Sequence, residues 1–240
     1  MSVEFTALEN GLRVVTHSIP GVESASIGVW VGSGTRHESN ENNGVAHLLE
    51  HMAFKGTRRR NAQDIAAEIE AVGGHLNAYT GRESTAYFAK ILAPDVALAA
   101  DILADILQNA TFDQVELDRE RQVVLQEIGQ AADTPDDIIF DYYQAAAFPN
   151  QSMGLPVLGR PENVQAMSRE TIKSYLQSNY GSERAVLAAA GKVQHGDIVG
   201  MAEELFGSLP TSKIVTQHEP AHYCGGEKRV ELDLEQVHFL

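Results

Sequence analysis

"GVAHLLEHMAFKGT", residues 44–57, sets two histidines and a glutamate into an otherwise apolar run. An α-helix advances about 100° per residue, so His47, Glu50 and His51, at i, i+3 and i+4, share one face. Val45, Leu48, Leu49 and Met52 fall on the opposite face. The stretch therefore reads as a helix with an apolar back for a core and an ionisable front for chemistry. Two histidines one turn apart can hold a divalent ion through imidazole nitrogens. Zinc (Zn2+) suits such a pair when a third protein ligand leaves one position open to water. A glutamate one residue before the second histidine lies near that water and can take its proton. The bland alternative is two packing or surface histidines with a glutamate beside them by chance, and the clean apolar back face counts against it.

Working outward, FTALE and LRVVTHS flank Asn10-Gly11, a strand–turn–strand signal. Residues 25–34 read as a further strand, and the polar residues 35–43 as a loop. A helix is expected over 61–74, with Asn61 as N-cap and Gly73-Gly74 as the stop. Residues 75–92 form a second hairpin-like pair. Helical spacing follows from Pro94 to Asn109, from Phe112 to Ala132 and from Pro135 to about Phe148. Next come a loop (149–161), a helix over 167–180 capped by Ser168, a buried strand (183–191) and a helix (195–209). Hairpins plus a block of helices give an α+β class: a largely antiparallel sheet with helices layered on it. The expected organisation is a metal-binding domain over 1–209, a linker over 210–228, and a new strand from 229 that stops early in a second domain.

The 240 residues suffice to bury a real core. With 43% hydrophobic and 21% charged residues, the class is soluble globular. No run approaches the ~18 apolar residues of a membrane helix. The N-terminus reads as strand, with no basic or apolar region of a signal peptide. Cys224 is the single cysteine, so no internal disulfide forms. A reducing compartment fits. The net charge of −15 disfavours nucleic acid and anionic membrane and favours basic partners. "KGTRRR" (55–60) is the single basic cluster and is expected to be a solvated loop.

A third ligand can come from "FDQVELDRERQVVLQEIGQAA" (112–132). Glu120 and Glu127 lie two turns apart on one helical face. Leu117, Val123, Val124 and Ile128 share that face, so both carboxylates are expected on the buried side. A buried carboxylate needs a partner or a cation. Arginines such as Arg82 or Arg121 are the alternative partners, and spacing does not choose between the two glutamates.

H-x-x-E-H is the inverzincin pattern. The chain resembles the pitrilysin/insulysin metallopeptidase family, most nearly the mitochondrial processing peptidase β-subunit and its bacterial relatives. The resemblance rests on "NGLRVVTHSIPGVESASIGVWVGSGTRHE", "NGVAHLLEHMAFKGTRRR", "GGHLNAYTGRESTAYFAKIL", "ERQVVLQEIGQAADTPDDIIFDYYQAAAF" and "LGRPENV". It implies a zinc metalloendopeptidase with His47, His51 and Glu127 as ligands and Glu50 as general base. Glu120 would steer a histidine or the metal from behind. Asn77, Ala78 and Tyr79 match an edge strand to which an extended peptide adds; an ordinary hairpin is the alternative. Phe54 matches a position lining the pocket for the residue after the cleaved bond. Asp137 and Asp141 match an acidic pair that receives a substrate arginine, against the alternative of a solvated acidic helix start. Family members carry a second, usually metal-free half that closes the chamber. A second half or companion subunit is thus an expected partner beside the peptide. A non-catalytic subunit, or a fragment that needs its second half, is the competing function.

Overall fold

The computed structural model of the chain describes residues 3–211 and 220–231. It begins with the expected hairpin: β1 (Val3–Ala7) and β2 (Arg13–Ser18) run antiparallel. Ala7 pairs with Arg13, so the connection spans residues 8–12 and is longer than a two-residue turn. Gly11 takes a φ of +88° within it, a conformation that a side chain would strain. The sheet continues with β3 (Ser24–Val31), β4 (His75–Thr80), β5 (Thr85–Leu92) and β6 (Ala185–Gly191), in the order β1-β2-β6-β3-β5-β4. All pairings are antiparallel except β2 with β6. The chain is a mixed α/β structure of the expected α+β kind.

Eight α-helices accompany the sheet among the described residues: α1 (Val45–Ala53), α2 (Ala62–Ala71), α3 (Val96–Asn109), α4 (Gln114–Ala132), α5 (Pro135–Ala147), α6 (Pro161–Ala166), α7 (Arg169–Asn179) and α8 (His195–Phe206). Local chemistry sets their starts. Asn61, Asp113 and Ser168 each accept a backbone N–H of the first turn, a cap worth roughly 1 kcal/mol. Sequence spacing missed α6, which starts at Pro161, where the ring's fixed φ favours a first helical turn. The polar stretch 35–43 contains a short 3-10 turn, Thr35–His37, and the loop after α5 another, Ser152–Gly154.

The core is shared between sheet and helices. Ile27, Val29, Tyr87, Leu103, Ile106 and Leu187 are buried in one apolar cluster with Val45, Leu48, Leu49 and Met52 of α1. Burying each of these α1 side chains contributes roughly 1.5–3 kcal/mol. α1 packs against β4, α4 and α7. Its start is fixed by a close approach: Gly44, at φ +98°, lies where a Cβ would meet the Cα of Gly159 at 2.9 Å. The loop before α6 is thereby pressed onto the first turn of α1.

Two expectations need correction. "KGTRRR" is not simply solvated. Arg60 is only 10% exposed and pairs with Asp101, Asp105 and Glu68, while Arg59 pairs with Asp101 and Asp105. Asp105 is fully buried and also accepts from Thr57, so the loop after α1 is bolted to α3. On α4, Val123 is 38% exposed and does not share the buried face with Leu117 and Val124, because a 100° step carries it to the rim. Residues 220–231 carry no regular secondary structure. Residues 212–219 of the expected linker and 232–240 of the expected second strand lie outside the described residues. No helix of the described residues is long and apolar enough to cross a membrane.

Candidate metal centre

α1 presents its ionisable face to α4 and β4. The rings of His47 and His51 stand edge to face with centroids 4.7 Å apart. Across from them Glu127 of α4 brings Oε2 to 3.7 Å from His47 Nε2 and 3.5 Å from His51 Nε2. One ligand atom from each of the three lies within 4.8 Å of the others. Four-coordinate zinc at about 2.0–2.1 Å from nitrogen and oxygen donors separates them by roughly 3.4 Å, so this spacing fits one ion.

The donor chemistry fits as well. His51 Nδ1 lies 3.0 Å from Glu120 Oε2. A carboxylate accepts, so Nδ1 carries the proton and Nε2 is the nitrogen turned to Glu127. Burial, helped by neighbouring His51, pulls the His47 imidazole down to about 4, which keeps it neutral with a lone pair to give. Two imidazole nitrogens and a carboxylate oxygen thus converge on one point, a donor set that a divalent cation would satisfy.

Glu50, the candidate base, is held from the side. Thr80, the last residue of β4, donates its hydroxyl to Glu50 Oε2 at 2.5 Å. Burial raises the Glu50 carboxyl above its ordinary range, opposed by the Thr80 bond and His51 and reinforced by Glu127. A carboxyl moved toward neutral pH is better matched to accepting a proton and returning it.

Glu120 does not join the three-residue group. Its side chain is only 7% exposed, against 39% for Glu127. Its Oε1 pairs with Lys55 Nζ at 2.8 Å. Arg82 and Arg121 are not its partners: Arg82 pairs with Asp141, and Arg121 with Asp118 and the carbonyl of Met167.

The remaining candidates surround this centre. β4 is one of the two edge strands, so its far edge has no strand partner among the described residues. Along it Asn77 and Tyr79 are exposed, while Leu76, Ala78 and Thr80 are half-buried. Phe54 ends α1, packed on the core with its ring 6.1 Å from that of Tyr87. On α5, Asp137 is exposed. Asp141 accepts from Arg82 at 2.9 Å, and burial raises its carboxyl against that pairing.

Sequence reasoning passed over three residues. Thr80 stood inside the quoted edge strand, and Lys55 was assigned to a solvated loop although it follows His51 by one turn. Glu38 sat in a polar stretch but is buried. Its oxygens accept from the backbone of Gly44 at 2.9 Å and Ala46 at 2.7 Å, and from Asn43 Nδ2 at 2.8 Å. It anchors the first turn of α1 and so the height of His47.

Residues 13–161 match the family described as Insulinase (Peptidase family M16), and residues 166–240 match the Peptidase M16 inactive domain. The mitochondrial-processing peptidase subunit beta of Blastocladiella emersonii is 43% identical over 230 residues, 96% of this chain and 50% of that protein. The probable mitochondrial-processing peptidase subunit beta of Arabidopsis thaliana is 43% identical over 239 residues, 98% of this chain and 45% of that protein. The chain thus spans about half the length of these relatives. Among solved structures, a protease from Helicobacter pylori superposes with a TM-score of 0.85 at 23% identity, covering 92% of this chain and 54% of that one. A peptidase M16 inactive domain from Pseudomonas fluorescens gives 0.84 at 16% identity, covering 92% and 54%. These two likenesses concern the fold. The step between the two family matches does not cut the sheet, since β6 lies between β2 and β3.

Proposed function

Because the chain belongs to peptidase family M16, we propose that it is the metal-binding half of a zinc metalloendopeptidase acting on extended peptides or presequence-like segments. The convergence of His47, His51 and Glu127, with Glu50 beside them, is the observation that carries this reading. His47, His51 and Glu127 would hold the ion. Bound there, zinc would supply a Lewis acid that makes water nucleophilic near neutral pH. Glu50 would take the proton of the attacking water and return it to the leaving amine. Glu120 would hold His51 in the tautomer that points Nε2 at the ion.

Asn77, Ala78 and Tyr79 would seat the peptide on the outer edge of β4 through main-chain hydrogen bonds. Phe54 would line the pocket beyond the cleaved bond. Asp137 and Asp141 would favour a basic residue before it. Residues 1–209 would be the working unit, joined by 210–228 to a second unit from 229. A second homologous half or companion subunit is proposed as the partner that completes the chamber, since the chain spans about half of its relatives. Those relatives are named for mitochondria, and a mitochondrial or bacterial interior suits the lone exposed Cys224.

The test is metal analysis joined to cleavage of a fluorogenic arginine-containing peptide, with the second half or companion present. Glu50→Gln is expected to keep stoichiometric zinc and lose cleavage. Full cleavage by Glu50→Gln would remove the proposed base, and absence of bound metal would favour a non-catalytic subunit.

A further inference from the structure

We infer that Lys55 is a positioning residue for the metal site, acting on His51 through Glu120. The inference rests on His47, His51 and Glu127 being the ligands. Lys55 lies one turn beyond His51, where the chain leaves α1, and its backbone N–H still bonds the carbonyl of Met52 at 3.2 Å. Its ammonium reaches Glu120 Oε1 at 2.8 Å, while Glu120 Oε2 meets His51 Nδ1 at 3.0 Å. Each carboxylate oxygen thus has one partner, and the two partners hold the plane of the group between them.

Glu120 is nearly buried, so an unpaired oxygen there carries a desolvation cost. Removing Lys55 leaves Oε1 without its cation, and the carboxylate gains by turning toward water and away from the ring. His51 then loses the group that fixes both its tautomer and its rotation. The binding effect has a diagnostic sign. A cation close to a site repels a second cation, so bare charge makes the loss of Lys55 tighten zinc binding. Tethering makes the same loss weaken it.

The experiment is a competition titration of zinc between the chain and a chromophoric chelator, which needs no cleavage. Lys55→Met is expected to weaken zinc affinity by roughly tenfold, the lower end for outer partners of metal ligands. Lys55→Arg is expected to restore most of it. With cobalt in place of zinc, Lys55→Met should alter the visible absorption band and Lys55→Arg should not. Zinc affinity unchanged or tighter in both Lys55→Met and the more conservative Lys55→Gln overturns the inference, even if either lowers the melting temperature. His47→Ala separates the two levels: zinc retained at full affinity there means the ligand assignment is wrong, whatever Lys55 does.

Discussion

The hydroxyl of Thr80 donates to the carboxylate of Glu50 across 2.5 Å, joining the last residue of edge strand β4 to the glutamate beside the histidine pair. One carboxylate oxygen is thereby fixed, leaving the other to meet a proton. The strand proposed to seat the peptide also aims the proposed base, so substrate register and base position share one element.

Thr80→Val keeps the shape and removes the donor. With the second half or companion present, kcat is expected to fall about tenfold or more, a part of the 100- to 10,000-fold that a general base supplies. KM and zinc content should hold, and Thr80→Ser should recover most of kcat. An unchanged kcat in Thr80→Val, beside an inactive Glu50→Gln, would show that Glu50 needs no such tether.

Zinc should stabilise the chain, because it would bind the three ligand atoms that only the folded state brings together. At a free concentration about a hundredfold above Kd, the expected gain is about 2.7 kcal/mol. For a chain of this size that is roughly 5–11 °C in Tm. Scanning calorimetry with and without chelator measures it. Glu127→Gln and His47→Ala should each abolish most of the shift, and a shift that survives both would move the ion elsewhere.

The buried carboxyl of Glu38 gives a pH dependence. Burial pushes it up to about 7 from an ordinary 4.5, against its hydrogen bonds to Ala46, Gly44 and Asn43. With the folded value above the unfolded one, its contribution is fully present below about pH 4.5. It is lost as pH rises through 7, to a total on the order of 3 kcal/mol. Urea unfolding at pH 5 and pH 8 should show a decline that Glu38→Gln flattens. Glu38→Gln should also be less stable at both, since its amide group sets a donor against a backbone N–H. An equally steep decline in Glu38→Gln would assign the pH effect to other groups.

If β4 receives the peptide as a strand, main-chain amides carry the binding. A peptide methylated at alternate backbone nitrogens of the strand-facing register should bind the Glu50→Gln protein roughly tenfold more weakly, two bonds at about 0.5–1.5 kcal/mol each. Methylation in the other register should change little. Equal binding of both would point to side-chain recognition instead.

The helix carrying His47, Glu50 and His51 was legible because its apolar and polar positions separate at 100° per residue, and the structure buries Val45, Leu48, Leu49 and Met52 accordingly. Strands and most helices were legible for the same reason of period. Glu127 could not be told from Glu120 by spacing, since both fall on one side of α4; which of them faces the Nε2 atoms of both rings depends on how α4 crosses α1. Arg60 looked solvated because two of its three acid partners, Asp101 and Asp105, lie on α3, 41 and 45 residues away. Glu38 was invisible for a similar reason: its partners are mostly backbone N–H groups, which every sequence has.

Arg82 already lies against Asp141. If Asp137 and Asp141 receive a substrate guanidinium, as proposed, it would enter by exchange. One ion pair opens as another closes, and the attraction gained at Asp141 is largely cancelled by the attraction given up. Net selectivity then depends on where the displaced cation goes, and Asp137 stands one turn earlier on the same helix. Any preference for arginine at the proposed pocket would then be a property of two acids and a resident base together, not of the acids alone.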